Sequence, residues 1–458
     1  MIKMVNRIYI ETLGCPKNRV DTEVMTGILL KEGFIPVSSP KLADFILLNS
    51  CAFIESARAE TIARFFHLNS IKQHHTKMIL TGCLVQREPS IAAYLPEAAI
   101  ITGIDEIPSI AEKIRTHTVP SGDRPSFPNP HFLYTSNTPR VLTQSPGFAY
   151  LKIADGCENN CTYCTIPSIR GAYRERSEMD ILREAENLIK RGVRELIITA
   201  QDSTQYNRRG RGLSGLIEKI NTRIHKMNLK KNNPCLVRIM YLHPRGIDDA
   251  LLHTISESGN ILPYFEIPLQ HTDDTILAAM NRGCTLGQAC ATFEKIRKLF
   301  GQKAVIRTTF ITGFPEETPR QFRKMFNFIE TNPYLDYIGL FPYSRERDTP
   351  AADMKQINKN TIHSRYQALY TAAGKAMKKN LSRFLHTAQD VLIDDASCRE
   401  NGNKKNCVKG RAYFQAPEID GTTYVTITDL KKKKIIAGNR VSCRIKKLHN
   451  LNFYAEII

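Results

Sequence analysis

The sequence predicts an α/β chain in three parts: an N-terminal domain with a parallel sheet, a central partial TIM barrel, and a C-terminal small β-barrel. Three observations carry that expectation. Apolar strand-like runs alternate with helix-length segments over residues 6–116 and again over 143–377, the rhythm of βαβ units and parallel sheets. A stretch rich in proline, 117–142, interrupts the alternation and reads as a linker. The last part, 378–458, changes to short β-rich runs separated by turn signals, which suits a small barrel.

In the first part the strand candidates are Arg7–Leu13, Phe45–Asn49, Met78–Thr81 and Ala98–Thr102, with helical patterns such as Asp21–Glu32 and Glu55–Ile71 between them. The linker holds Pro120, Pro125, Pro128, Pro130 and Pro139 and shows neither helical nor strand period. The central part offers six strand candidates, Ala149–Ala154, Glu195–Thr199, Val237–Tyr241, Tyr264–Leu269, Val305–Thr312 and Asp336–Pro342. That is short of the eight units of a complete barrel. In the last part the strands are expected at Asp390–Ile393, Gly410–Gln415, Thr423–Thr428, Arg440–Lys446 and Phe453–Ile457, with turns at Asp420-Gly421 and Gly438-Asn439. The run Lys431–Lys434 reads as a solvated turn.

The chain has 458 residues, too many for one core, and its 42% hydrophobic content is that of a globular protein. No run approaches the ~18 apolar residues of a membrane span, so no membrane partner is expected. Residues Met1–Gly14 carry no signal-peptide pattern, and a cytoplasmic location follows as an expectation. In that reducing compartment clustered cysteines favour metal or catalysis over disulfides. The net charge of +19 points toward an anionic partner, and 378–458 holds 16 Lys or Arg against 8 Asp or Glu. Charge alone leaves open whether that partner is RNA or a protein embedded in RNA.

Six of the 12 cysteines form two sets of three. Cys157, Cys161 and Cys164 lie within one short run, Asp155-Gly156-Cys157-Glu158-Asn159-Asn160-Cys161-Thr162-Tyr163-Cys164. Cys15, Cys51 and Cys83 each follow a strand candidate. Ligands in parallel α/β sheets gather beyond the carboxyl ends of the strands, so these three can converge on one sheet edge. A lone buried cysteine is most simply a small hydrophobe; three at equivalent βα turns argue for ligands. The tight set lacks the paired knuckles or histidines of zinc sites and the fourth cysteine of ferredoxins. Three thiolates around an iron–sulfur cubane leave one iron open, as catalytic zinc sites keep one position free.

The Cys157–Cys164 run resembles the signature of the radical S-adenosylmethionine enzymes. Gly14-Cys15-Pro16-Lys17-Asn18 with Cys51 and Cys83 is similar to the N-terminal domain of the methylthiotransferases within that superfamily. Ile166–Gly171, Ala200-Gln201-Asp202, Pro268-Leu269-Gln270-His271, Phe310–Pro315 and Pro342-Tyr343-Ser344 look like the same family, and the last part looks like a TRAM domain. The resemblance implies two 4Fe–4S clusters, one on each triad, and S-adenosylmethionine at the open iron of the second. Tyr163 matches the aromatic position near the adenine. Gly313, with Glu316-Glu317, is a candidate to line the cofactor, since glycine admits close backbone approach.

Two branches of the family compete. Leu13–Asn18, Ile166–Gly171 and Ala416–Gly421 resemble the branch that modifies an aspartate of ribosomal small-subunit protein twelve. The alternative branch modifies an adenosine of transfer RNA. The resemblance implies that ribosomal protein as the partner, free or on the ribosome, and an electron donor such as a flavodoxin or ferredoxin; direct RNA contact stays open. Glu418 and Asp420 are expected on an exposed acidic loop that meets the basic ribosomal protein. The loop Tyr206–Arg211 carries three arginines where the family has a Gly and an acidic residue, and Tyr173–Ser177 and Ser344–Asp348 also depart from pattern. Cys235, Cys284, Cys290, Cys398, Cys407 and Cys443 show no ligand spacing.

Overall fold

The computed structural model describes residues 6–116, 127–227, 233–397, 407–427 and 435–458. The Lys431–Lys434 run, Cys398 and the first part of the proline-rich stretch lie outside the described residues. In chain order the strands are β1 (Arg7–Thr12), β2 (Ile35–Pro36), β3 (Phe45–Ser50), β4 (Lys77–Gly82), β5 (Ala98–Thr102) and β6 (Phe148–Lys152). There follow β7 (Ala154–Asp155), β8 (Arg174–Glu175), β9 (Glu195–Thr199), β10 (Leu236–Ile239), β11 (Ile261–Glu266), β12 (Val305–Thr312) and β13 (Tyr337–Pro342). The last are β14 (Ala388–Asp395), β15 (Cys407–Ala412), β16 (Thr423–Thr426), β17 (Arg440–His449) and β18 (Asn452–Ile457). Among the described residues no helix is long and apolar enough to cross a membrane. The chain forms two compact units: residues 1–143 with 154–181 and 344–352, and residues 144–153 with 182–343 and 353–458.

The first unit is built on a parallel sheet of order β2-β1-β3-β4-β5. Every residue of β3 is buried, as a parallel strand covered on both faces requires. The two-residue β2 is too short to show a period in sequence. Helix α1 (Pro16–Lys31) is buried along most of its length, polar residues included. Those polar groups are satisfied one by one: Asn18 Nδ2 donates to the Leu13 and Ser50 carbonyls, both at 2.8 Å, and Glu23 accepts from Arg140 Nη2 at 2.6 Å and the Thr143 amide at 3.0 Å. The Arg140 contact shows that the described end of the expected linker is fastened to the domain. The amides of His131 and Phe132 are likewise held by Asp105 Oδ1, at 2.7 and 2.6 Å. Glu346, 1% exposed, is enclosed by the Glu55 amide, Arg58 and Arg87 of helices α2 (Glu55–Ile71) and α3 (Cys83–Arg87), with Arg87 Nη1 at 2.8 Å.

The second unit holds an open parallel sheet of order β13-β12-β11-β10-β9-β6 and a closed barrel of order β14-β15-β16-β18-β17. Six parallel strands are the partial barrel that the sequence implies. The expected strand at Gly410–Gln415 is displaced: β15 begins at Cys407, paired with Thr426. The apolar run misleads because Phe414 and Ala416 are buried beyond the strand end, Phe414 stacked on Phe384 at 4.0 Å. Buried ions hold this unit. Glu195 accepts from Arg238 Nε and Arg411 Nη1, each at 2.7 Å, and Arg411 also grips Asp394 at 2.7 and 3.0 Å. Burial alone would raise the Glu195 pKa, but Arg411 and Arg238 outweigh it and bring it down to about 2.

The acidic loop requires a correction. Asp420 is 0% exposed, and its carboxylate accepts from the Tyr264 hydroxyl at 2.5 Å, from the Ala416 amide at 2.8 Å and from Arg307 Nη1. It serves as an internal counter-ion for a buried guanidinium, which leaves it unavailable as a partner contact. Glu418 is exposed, with φ of 70°, and accepts from the Tyr150 hydroxyl at 3.1 Å.

Candidate functional site

The N-terminal triad is assembled by three βα turns. Cys15 precedes Pro16 as the cap residue of α1, and its side chain makes no capping bond, so the thiol is not consumed by the helix end. Cys51 follows β3; its amide and carbonyl are both clasped by Thr61 Oγ1 of α2, at 3.2 and 2.8 Å. Cys83 opens α3 directly after β4, where Ser50 Oγ accepts from the Leu84 amide at 3.1 Å. Two glycines shape the turns. Gly14 (φ 88°) would bring a Cβ to 2.8 Å from the Cys51 sulfur, and Gly82 (φ 94°) would bring one to 2.2 Å from Asn49 Oδ1. Bare backbone at Gly14 therefore lies against the Cys51 thiol, and Gly82 makes room for Asn49 and Ser50.

Cys51 and Cys83 are buried, at 9% and 8% exposure, and Cys15 is half-buried. Burial pushes the Cys51 thiol up to about 12, and the neighbouring Cys83 and Cys15 add to the rise. Cys83 is raised as well, mainly by burial, against the opposing pull of the Arg170 guanidinium. Among the described residues no three His, Cys, Asp or Glu are grouped as a single metal ion would need. A cubane makes a different demand, because its cysteines bind separate irons around a larger body. A soft all-thiol donor set flanked by glycine backbone fits such a group.

The second triad sits in a loop of the same unit. Gly156 (φ 80°) would place a Cβ 2.1 Å from the Ala172 carbonyl oxygen, so the entry to the loop demands glycine. The Cys157 amide donates to the Gly171 carbonyl at 3.4 Å, and the Cys164 amide to the Cys161 carbonyl at 3.0 Å. Cys157, Cys161 and Cys164 are half-buried, as is Tyr163 between the last two. Two side chains tie this stretch to the first triad's surroundings. Thr165 Oγ1 donates to the Phe53 carbonyl at 3.1 Å, and Arg170 Nη2 lies 3.3 Å from the Cys83 sulfur. Nothing in the local sequence marks Arg170 beyond its place in the Ile166–Gly171 run.

In the second unit, three non-glycine residues just past neighbouring strands have left-handed backbone: Tyr241 (φ 61°), Gln270 (φ 79°) and Glu316 (φ 65°). Such strain gathers where function fixes the chain. Gln270 Oε1 and Thr312 Oγ1 are buried there without hydrogen-bond partners, and His271 Nε2 is 3.9 Å from Glu317 Oε2. These orphaned polar atoms suit a polar ligand. Gly313 (φ 76°) has Ile362 2.5 Å from where its Cβ would stand, so internal packing already demands glycine at the position expected to admit cofactor.

The Radical SAM superfamily model matches residues 151–329, Uncharacterized protein family UPF0004 matches 7–103, and the TRAM domain matches 387–458. The ribosomal protein uS12 methylthiotransferase RimO of Syntrophus aciditrophicus is 39% identical over 98% of both chains. That of Geobacter sulfurreducens is 36% identical over 99% of this chain and 98% of its own. Among solved structures, the radical S-adenosylmethionine methyltransferase TsrM from Kitasatospora setae superposes with a TM-score of 0.55 at 14% identity, over 76% of this chain and 77% of its own, a likeness of fold alone. With its three matched regions and near full-length relatives, this chain belongs to the RimO family of radical SAM methylthiotransferases.

Proposed function

We propose that the enzyme adds a methylthio group to the β-carbon of an aspartate in ribosomal protein uS12, with a 4Fe–4S cluster on each cysteine triad and S-adenosylmethionine at the Cys157–Cys164 cluster. The observation that carries this reading is the delivery of Cys15, Cys51 and Cys83, from three separate turns, to one edge of a sheet. When bound, the clusters and cofactor supply hydrogen abstraction from an unactivated carbon and a methylated sulfur to place there. The chain's own part is to hold the thiols, exclude water from Cys51 and Cys83, and fix the loop around Cys157 through Gly156. Tyr163 is assigned beside the bound cofactor; within the second unit, orphaned Gln270 and Thr312 together with Gly313 form a separate candidate lining for a polar ligand. An external one-electron donor such as a flavodoxin or ferredoxin, and the cytoplasm as the site of action, complete the reading.

The C-terminal barrel is assigned to recognition of the ribosomal substrate. On it Tyr424 and Tyr454 stack at 5.4 Å, with Lys409 and Lys447 each 5.9 Å from a ring of the pair. Stacked rings flanked by cations suit unpaired bases and phosphate near a ribosomal protein. The deciding experiment offers anaerobically reconstituted enzyme purified uS12, assembled small subunits and transfer RNA. Methylthio mass on uS12, lost when its target aspartate is changed, is the expected result; mass on the transfer RNA alone would refute the assignment.

A further inference from the structure

Buried arginines normally meet carboxylates along their donor edges, because an uncompensated guanidinium inside a protein is costly. Arg170 does so on one side only. It is 1% exposed, and Nη1 donates to Asp21 Oδ2 at 2.6 Å and Asp155 Oδ2 at 3.2 Å. Nη2 donates to the neutral Asn18 Oδ1 at 2.7 Å and points at Cys83 Sγ at 3.3 Å. Asn18 is itself fixed by two backbone carbonyls, so it leaves Nη2 little freedom to turn away from the sulfur.

We infer that Arg170 is a positioning residue for the N-terminal cluster, holding the Cys83 sulfur through a charged N–H···S bond that raises the reduction potential of the cluster bound there. This rests on the reading of Cys15, Cys51 and Cys83 as cluster ligands. Asp21 and Asp155 offset most of the guanidinium's field, so the effect comes chiefly from the directed bond, which draws electron density from the sulfur and favours the reduced cluster. The same side chain reaches from Asp155, beside the second triad's loop, to Cys83 of the first.

The test uses the full chain carrying Cys161→Ala, so that one cluster is read alone. Iron content and an EPR-monitored redox titration are compared for that background and for the same chain with Arg170→Gln plus Asp21→Asn, which removes the guanidinium together with one of its carboxylates. The expected result is retained iron with a tenfold less favourable reduction equilibrium, a fall of ~59 mV for one electron. Should the double change fail to fold or to hold iron, Arg170→Lys is read instead; it keeps the charge, yet one ammonium cannot reach Asn18 and Cys83 as the fork does. A lowered potential in the lysine variant supports the inference. An unchanged potential in a variant that retains iron overturns the inference and leaves the cluster assignment standing. Absence of iron in the Cys161→Ala background itself overturns the assignment and the inference together.

Discussion

Arg170 of the first unit and Arg411 of the second are buried alike, 1% and 4% exposed, and their settings differ in kind. Arg411 is closed on both sides by carboxylates, Glu195 and Asp394, and completes a structural ion cluster. Arg170 has carboxylates on one nitrogen and an amide and a sulfur on the other. One guanidinium fastens a barrel; the other is partly committed to a thiol. Burial of a charge thus says little about purpose until each donor's partner is named.

The comparison breaks first at the thiols. Cys51→Ala should reduce methylthio transfer to background and the iron content by about half, since the second triad is untouched, while reductive cleavage of S-adenosylmethionine continues. Cys161→Ala should stop the cleavage as well. Iron analysis with mass spectrometry of both products checks this, and transfer by the Cys51→Ala enzyme would show that the first triad is only packing.

Next in size is Arg411→Met, which leaves half-buried Asp394 without its partner and buried Glu195 with Arg238 alone. A loss of about 3–5 kcal/mol in unfolding free energy is expected, read by denaturant titration. A loss below ~1 kcal/mol would mean that the pairing contributes little.

The same cluster should respond to acid. Glu195 is depressed from 4.5 to about 2, so its contribution is present in full above pH 4.5 and is lost as pH falls toward 2. Over that window Glu195→Gln should flatten the decline in stability by on the order of 2 kcal/mol. Parallel acid unfolding curves for the two proteins would contradict the pairing.

The smallest effect sharpens the corrected reading of the acidic turn. Glu418→Gln should change stability by no more than ~0.5 kcal/mol, whereas Asp420→Ala, which removes the nearer of the two acids facing Arg307 and the acceptor of the Tyr264 hydroxyl, should cost about 3 kcal/mol. Equal thermal shifts for the two would erase the distinction between an exposed and an enclosed carboxylate.

What sequence made legible was what is local or periodic. The strands of both parallel sheets announce themselves as apolar runs because burial on both faces leaves no alternation to blur. The positions of Cys15, Cys51 and Cys83 after those runs indicate a common edge, which the topology supplies. Asp420 misled because its partners, Tyr264 and Arg307, stand 156 and 113 residues away, and charge along the chain does not tell whether a carboxylate faces water or a buried cation. Arg170 was missed for the same reason: Asn18 and Asp21 are 152 and 149 residues distant. The proline-rich stretch concealed its anchorage because Glu23 and Asp105, which hold its described end, belong to other elements.

The enclosure of Glu346 has a consequence for biosynthesis. Arg87 and the carboxylate that neutralises it are 259 residues apart. At ~5–20 residues per second, translation takes roughly 13–50 s to deliver that acid after the arginine has been made. Arg87 therefore spends that interval awaiting its counter-ion, whereas Arg58 already has Glu88 at 3.3 Å, and the first unit is completed only after nearly all of the central sheet has been synthesised. An N-terminal fragment cut at the proline-rich stretch would lack Arg170 and Glu346 together, and its unfolding would report on a different object from the first unit of the whole enzyme.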